Sequence, residues 1–210
     1  MRQPILRALL TIMAIILMAP APCFAETAAL PDIRGHWSEP YVSALVDKGS
    51  IAGMPDGLFH PDDFMTFPQF VSIIITNGYG RQSPVNGHWA SGYMQTALDN
   101  GVIESDDMEK LEEITRFDAA RVALNALALV FGEEYEPDIM SESEFVDFSA
   151  YCMSCQTSLA YARECYVKGI IAGRPSPDGP VFNGEDYLTR AEGSVIIMKM
   201  LEPGLRTPPN

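Results

Sequence analysis

Two arginines stand where a bound anion would offset their charge. Arg116 and Arg190 each follow a threonine, Thr115 or Thr189, that is predicted to cap a helix. Free N–H groups make a helix start partly positive, so an arginine there costs roughly a few tenths of a kcal/mol unless an anion lies nearby. A guanidinium can hold a carboxylate through two hydrogen bonds. We expect both side chains to face outward into clefts that take a carboxylate; pairing with neighbouring acidic residues is the alternative.

Two tryptophans could supply flat faces for sugar rings. Trp37 and Trp89 each complete a Gly-His-Trp sequence just before a predicted helix. An exposed indole at either position could stack on a sugar, whereas a buried indole would pack at the helix entrance. The sequence leaves both interpretations open.

The cysteines favour a structural role over a catalytic one. Beyond the N-terminal segment they are Cys152, Cys155 and Cys165. The first two have the CxxC spacing of thioredoxin-like redox proteins, but no βαβ pattern surrounds them. A zinc site would need a second pair of ligands. We therefore predict a disulfide between Cys165 and either Cys152 or Cys155, and no catalytic residue, metal or cofactor.

Three copies of one helical pattern must position these residues. In each copy a helix with an apolar stripe ends at a glycine, a loop follows, and a threonine-capped helix comes next. The glycines that end the first helices are Gly49, Gly101 and Gly169, and the capping threonines are Thr66, Thr115 and Thr189. Repetition at these landmarks predicts a tandem array of helix pairs.

The three copies are unequal. Copies one and three place an Asp-Gly turn in the loop, at Gly57 and Gly179, and copy two lacks it. Copy one has Phe67 where the other copies have arginine, and copy three has Thr157 where the others have tryptophan. No copy has the complete set, so three equal sites are not expected.

Charge and the N-terminal residues restrict the partners. Residues 1–25 combine a basic start, a short apolar run and a Cys-Phe-Ala ending, which is typical of a secretory signal peptide; lipidation at Cys23 is the alternative. No later stretch is long and apolar enough to span a membrane.

Without residues 1–25 the chain keeps 12 basic and 28 acidic residues, a net charge of −16. This balance argues against nucleic acid and anionic lipid as partners.

These motifs resemble the S-layer homology (SLH) domain. The resemblance rests on Gly35-His36-Trp37, on the Gly-Ile-Ile-Ala-Gly segment from Gly169, and on the Leu-Thr-Arg-Ala-Glu segment from Leu188. It implies an all-α fold in which three tandem helix-loop-helix repeats pack as one pseudo-threefold unit around a central helical bundle. It also implies binding of secondary cell-wall polysaccharide, often carrying a pyruvate ketal. The positions that match the family's ligand contacts are Arg116, Arg190, Trp37, Trp89, Gly57 and Gly179.

The resemblance gives an expected organisation and function. We expect a signal peptide at 1–25, SLH repeats at 30–82, 83–133 and 145–202, an acidic linker at 134–144 and a disordered tail at 203–210. The expected function is non-catalytic attachment of a secreted protein to the bacterial cell wall or cell surface through the polysaccharide. The alternative is an envelope-assembly module whose degenerate copies no longer bind glycan and whose partners are other envelope proteins.

Overall fold

The structure, a computed structural model, describes residues 30–134, 145–151 and 156–209. The predicted signal peptide, nearly all of the acidic linker, Cys152 and Cys155 lie outside these residues. The described part of the chain contains six α-helices and no extended strand, so the predicted all-α fold is confirmed. They are α1 (Glu39–Asp47) and α2 (Phe67–Tyr79) in copy one, α3 (Ser91–Asp99) and α4 (Arg116–Leu129) in copy two, and α5 (Gln156–Val167) and α6 (Arg190–Leu201) in copy three.

The second helices of the three copies form a central bundle. Helices α2, α4 and α6 contact one another, and each packs against the first helix of the following copy: α2 on α3, α4 on α5, and α6 on α1. The cyclic order gives a pseudo-threefold arrangement with grooves between copies. It also buries one continuous apolar core that draws on all three copies.

A ring of backbone hydrogen bonds closes the N-terminal end of the bundle. The residue before each capping threonine is buried, namely Met65, Ile114 and Leu188. The amide of Met65 donates to the carbonyl oxygen of Leu188 at 2.9 Å, that of Leu188 to Ile114 at 3.1 Å, and that of Ile114 to Met65 at 2.9 Å. Each copy donates to one neighbour and accepts from the other, which fixes the three helix starts around one axis.

Local sequence signals set the helix ends. Each central helix begins where a threonine side chain accepts a hydrogen bond from the amide three residues on, as predicted. The capping pairs are Thr66–Gln69, Thr115–Asp118 and Thr189–Glu192. Past the first helices, Gly49, Gly101 and Gly169 have φ values of 69°, 72° and 69°. This left-handed conformation suits glycine because it has no Cβ to clash.

One equivalent position near the axis carries side chains of different size in the three central helices. Phe70 of α2 occupies the position that Ala119 has in α4 and Gly193 has in α6. A Cβ on Gly193 would lie 2.5 Å from Sδ of Met65 and 3.6 Å from the Phe70 ring. A Cβ at position 193 would force the Met65 side chain to shift, which favours glycine there, and the three copies therefore differ in side-chain size at this position.

The C-terminal residues 203–209 contact the body of the molecule through Arg206 and Thr207. Both terminal nitrogens of Arg206 donate to the carboxylate of Glu133, at 2.8 and 2.6 Å, and its Nε donates to the carbonyl oxygen of Lys199 at 2.9 Å. The amide of Thr207 donates to the carbonyl oxygen of Gly169 at 3.2 Å. The tail is held by a distant acidic residue, which its own proline-rich composition does not reveal.

Cys165 carries a free thiol instead of the predicted disulfide. It is fully buried between α5 and α4, where its Sγ lies 3.5 Å from the carbonyl oxygen of Ala120. Burial raises the pKa of this thiol, which disfavours a reactive thiolate. The two other cysteines of that prediction lie outside the described residues.

The described residues include neither a membrane-spanning helix nor a metal-binding cluster. None of their helices has both the length and the apolar character needed to cross a bilayer. Nor do they bring together three or more histidine, cysteine or acidic side chains in an arrangement that could hold a metal ion.

Candidate functional site: two grooves between the copies

One groove lies between copy one and the first helix of copy two. We name it groove A, and its cavity has a volume of about 600 Å³. Copy one provides the loop after α1 and one side of α2, copy two provides Trp89 and Tyr93, and copy three provides Arg190. The full lining is residues 49–55, Gln69, Ser72, Ile73, Thr76, Arg81, Trp89, Tyr93 and Arg190.

A second groove, named groove B, repeats this plan around the axis. Its cavity has a volume of about 190 Å³. Copy three provides the loop after α5 and one side of α6, copy one provides Trp37, and copy two provides Arg116. The full lining is Trp37, Arg116, residues 170–174, Glu192, Val195, Ile196 and Lys199. Each groove therefore takes its tryptophan from the following copy and its arginine from the remaining one, so a single copy need not carry the whole set.

The two groove arginines are held by phenylalanines of the loops that wall the grooves. The Nε of Arg190 donates to the carbonyl oxygen of Phe59 at 2.7 Å, and its guanidinium lies 4.5 Å from the centroid of that ring. Arg116 repeats both contacts with Phe182, at 2.7 Å and 4.9 Å, and its Nη2 also donates to the carbonyl oxygen of Ala172 at 2.9 Å. These cation–π contacts orient the arginines against the loops that form the groove walls.

Both expectations for the arginines need correction. Arg116 and Arg190 are 3% and 7% exposed, so they are groove walls and not outward-facing side chains. Neither pairs with a carboxylate within 4.0 Å among the described residues, so the alternative of pairing with neighbouring acids is also wrong. Carbonyl oxygens and aromatic faces compensate part of their desolvation and leave the net charge in place.

Two aspartates hold the loops that hold the arginines, and sequence reasoning missed both. The Asp32 carboxylate accepts hydrogen bonds from the amides of Phe59 and His60 at 2.6–2.9 Å. Asp147 accepts equivalent bonds from the amides of Phe182 and Asn183 at 2.9 and 2.8 Å. Burial alone would raise the pKa of Asp32, but these amide bonds outweigh it and hold that pKa below its usual value. Both aspartates lie in a 3-10 turn before the first helix of their copy, a shared position that could have revealed them.

Positive charge without an acidic partner is concentrated in the grooves. Arg81 and Arg190 of groove A, and Arg116 and Lys199 of groove B, have no carboxylate within 4.0 Å in the described part of the chain. Outside the grooves, exposed Arg34 also lacks an acidic partner in the described residues. The following cations there each pair with an acidic residue: Lys48, Lys110, Arg121, Lys168 and Arg206. In a chain with a net charge of −14, these grooves are regions where positive charge stands without an acidic partner.

Burial removes water from the groove cations without supplying a counter-ion. It lowers the pKa of Arg116 to about 10, and the charge of Arg174 adds to this effect. Burial also lowers the pKa of Arg190 and of Lys199. An anion bound beside these groups would favour their charged forms and reverse the shift.

The tryptophans are exposed and the turn glycines lie outside the grooves. Trp37 and Trp89 are 57% and 48% exposed, which favours a ligand platform over core packing. Gly57 and Gly179 have φ values of 83° and 128°, as an Asp-Gly turn requires. They are absent from both groove linings; they instead turn the loops that carry Phe59 and Phe182.

Comparison with known protein families matches residues 29–71 to the S-layer homology domain. The match to the S-layer homology domain therefore covers copy one of this chain. It is 26% identical over 193 residues to exoglucanase XynX of Acetivibrio thermocellus, covering 87% of this chain and 17% of that protein. It is 28% identical over 112 residues to S-layer protein EA1 of Bacillus anthracis (49% and 13%) and 40% identical over 58 residues to the cellulosome-anchoring protein of A. thermocellus (28% and 12%). The chain spans less than a fifth of the length of each.

The third inter-copy position lacks both groove landmarks. By the same cyclic plan it would take its arginine from copy one, which has Phe67, and its tryptophan from copy three, which has exposed Thr157. Lys110 lies 5.2 Å from the centroid of the Phe67 ring. The missing arginine and the missing tryptophan therefore belong to the same site, and grooves A and B each keep both residues.

An internal ion network occupies this third position. Arg121 donates to both carboxylate oxygens of Asp107, at 2.8 and 2.9 Å, and to Asp118 at 2.8 Å. Lys110 contacts Asp118 at 2.9 Å and Asp107 at 3.1 Å. Burial opposes ionisation of Asp107, yet the hydrogen bonds from Arg121 and from the Glu104 amide lower its pKa. Two cations and two anions neutralise each other here, so no charge is left for a ligand.

Proposed function

We propose that this chain attaches to the bacterial cell wall by binding an anionic wall polysaccharide in grooves A and B, without catalysing a reaction on it. The proposal rests on one observation: each groove combines cations that have no carboxylate partner with an exposed tryptophan. An acidic chain has abundant carboxylates to pair with, so leaving Arg81, Arg116, Arg190 and Lys199 unneutralised calls for an external anion.

The donors left in the grooves suit a carboxylate. The hydrogen bonds of the described residues leave both terminal nitrogens of Arg190, and Nη1 of Arg116, without an acceptor. An arginine fork binds a carboxylate through parallel hydrogen bonds. A pyruvate ketal would present such a carboxylate on a sugar ring, and Trp89 or Trp37 would cover the flat face of that ring. The preferred ligand is therefore a pyruvylated secondary cell-wall polysaccharide.

The relatives support the same cellular setting. Two of them are named as an S-layer protein and a cellulosome-anchoring protein, and a role in cell-surface attachment would be shared with this chain. The matched part of XynX is 17% of its length, and we propose no exoglucanase activity for this chain. We propose that the chain is secreted through its N-terminal segment and retained at the cell surface.

Co-sedimentation with purified wall sacculi tests this function. We expect wild-type protein to pellet with sacculi and to stay in solution when pyruvate has been removed from them. Replacing Arg116 and Arg190 together by alanine should lower the retained fraction at least roughly tenfold, because two desolvated charged contacts are lost. Arg34→Ala is the matched control, since Arg34 is exposed, lies outside the grooves and has no acidic partner in the described residues.

Two results separate this proposal from its alternative. Arg116→Lys with Arg190→Lys keeps the charge but removes the planar fork, so it should bind more weakly while melting like wild type. If folded wild-type protein is not retained by sacculi, or if Arg34→Ala loses as much binding as the groove variant, the chain is an envelope-assembly module and not a glycan anchor.

A further inference from the structure

The end of the molecule where the central helices begin has a repeated surface pattern. The three residues that precede each buried ring residue are all exposed. They are Asp62-Asp63-Phe64, Leu111-Glu112-Glu113 and Glu185-Asp186-Tyr187. We name these nine residues the axial face. Six of them are acidic and three are large apolar side chains, arranged around the pseudo-threefold axis.

The apolar side chains of the axial face cannot turn into the core. Phe64, Leu111 and Tyr187 are 54%, 56% and 43% exposed. The inward direction is already taken by the buried ring residues Met65 and Leu188, which follow Phe64 and Tyr187 and whose amides are fixed by the ring hydrogen bonds. The Phe64 and Tyr187 rings contact each other edge to face, with centroids 5.6 Å apart. Clustered exposed aromatics of this kind mark interaction surfaces more often than isolated ones do.

The acidic side chains of the axial face are scarcely neutralised. In the described part of the chain, Asp186 pairs with Arg174, whereas Asp62 and Asp63 have only histidine neighbours, at 3.4 and 3.9 Å. Glu112, Glu113 and Glu185 have no ion pair there. Acidic residues do stabilise helix starts. That effect does not account for the aromatic pair between them.

We propose that the axial face docks a cationic polypeptide segment that carries apolar side chains. Lysine or arginine side chains would pair with the rim carboxylates, and an apolar side chain would cover the Phe64–Tyr187 pair. Phe64 and Tyr187 are the anchors of the contact, because buried aromatic residues dominate such interfaces. The carboxylates steer the partner and set its orientation.

Charge excludes the other occupants of this face. An anionic wall polymer and an anionic lipid would both be repelled by the six carboxylates. A second copy of the chain would bring the same six carboxylates against each other, which is unfavourable. The axial face therefore selects a partner of opposite charge to the one proposed for grooves A and B, and the two could be engaged at once.

A peptide titration of the whole protein tests the proposal. The probe is a short synthetic peptide rich in lysine with two phenylalanines, and the readout is its fluorescence polarisation at low salt. Phe64→Ser with Tyr187→Ser should raise the Kd roughly tenfold, as loss of a hot spot does. Glu112→Gln with Glu113→Gln should have a similar effect that shrinks as salt is added.

Matched controls separate docking from general attraction to an acidic protein. Tyr79→Ser removes a tyrosine that is 44% exposed elsewhere, and Asp47→Asn with Asp99→Asn removes two exposed acids on the first helices. Both controls should bind the probe as wild type does. The proposal is overturned if wild type does not bind, if the controls lose as much affinity as the axial variants, or if sedimentation shows a dimer that Phe64→Ser with Tyr187→Ser abolishes. Sacculus binding should be unchanged in every axial variant.

Discussion

Grooves A and B differ from the third inter-copy position in how their charge is neutralised. In the grooves, Arg190 and Arg116 lie over Phe59 and Phe182 and keep their charge. At the third position, Phe67 replaces the arginine and Lys110 lies over its ring, already paired with two aspartates. The fold can be completed by either arrangement. A ligand can be bound only where donors and charge remain.

Substitutions at the two kinds of site are therefore expected to differ in whether they affect fold stability or ligand binding. The ion network of the third position is satisfied internally, so breaking it should destabilise the fold and spare ligand binding. The groove cations have no acidic partner in the described residues, so removing the exposed side chains of the grooves should impair binding and spare the fold.

The largest expected effect is on stability, at the third position. Asp107→Ala leaves Arg121 and Lys110 without their most buried partner, which is expected to cost about 3 kcal/mol of unfolding free energy. Urea denaturation measures this loss. Below the unfolding transition the variant should still pellet with sacculi. Unchanged stability would mean that the network is not structural.

A smaller loss is expected at the loops that hold the groove arginines. Asp32→Ala removes the acceptor for the amides of Phe59 and His60, and roughly 2 kcal/mol of stability should be lost with it. Because Phe59 orients Arg190, this variant should weaken groove A and leave groove B intact; Asp147→Ala should do the reverse. Counting ligand sites in each variant checks this assignment, and equal effects on both grooves would contradict it.

The exposed tryptophans should affect binding alone. Trp89→Ala or Trp37→Ala is expected to weaken ligand binding in one groove roughly tenfold, because a stacking face is lost. The unfolding free energy should change by less than about 0.5 kcal/mol, since both side chains are about half exposed. A large fall in thermal stability in either variant would instead identify that tryptophan as a packing residue.

The smallest effect concerns the tail beside groove B. Arg206 holds the pKa of Glu133 at about 2, below its ordinary value of 4.5. A carboxylate with a lowered pKa stabilises the folded state above its unfolded pKa, and this contribution is lost as the pH falls from about 4.5 to about 2. Glu133→Gln should therefore lower the thermal midpoint at neutral pH. The corresponding loss of unfolding free energy should be less than about 1 kcal/mol because the pair is partly exposed. At about pH 2 the variant and wild type should melt alike, and a difference that persists there would contradict the assignment.

The helices and their order followed from short-range signals. Glycine stops, threonine caps and apolar stripes all act within about one or two helical turns, so Thr66, Thr115 and Thr189 could be identified as caps without a structure. The site depended on long-range contacts that such signals do not encode. Arg190 meets Phe59 across 131 positions of sequence, and the arginines were therefore expected to face outward when they are in fact buried.

The replacement of one arginine and one tryptophan was visible in the sequence, but the sequence alone did not show that both replacements affect the same site. Phe67 and Thr157 lie in different copies, and only the cyclic packing of α2 on α3, α4 on α5 and α6 on α1 shows that they belong to one site. The contact between Arg206 and Glu133, 73 positions apart, could not be predicted for the same reason.

A calorimetric titration with a pyruvylated wall-sugar fragment tests the central claim most directly, because it counts the sites. We expect two sites per chain for the wild type, one for Arg190→Ala or Arg116→Ala alone, and none for the double variant. Three equivalent sites, or sites that persist in the double variant while it remains folded, would contradict it.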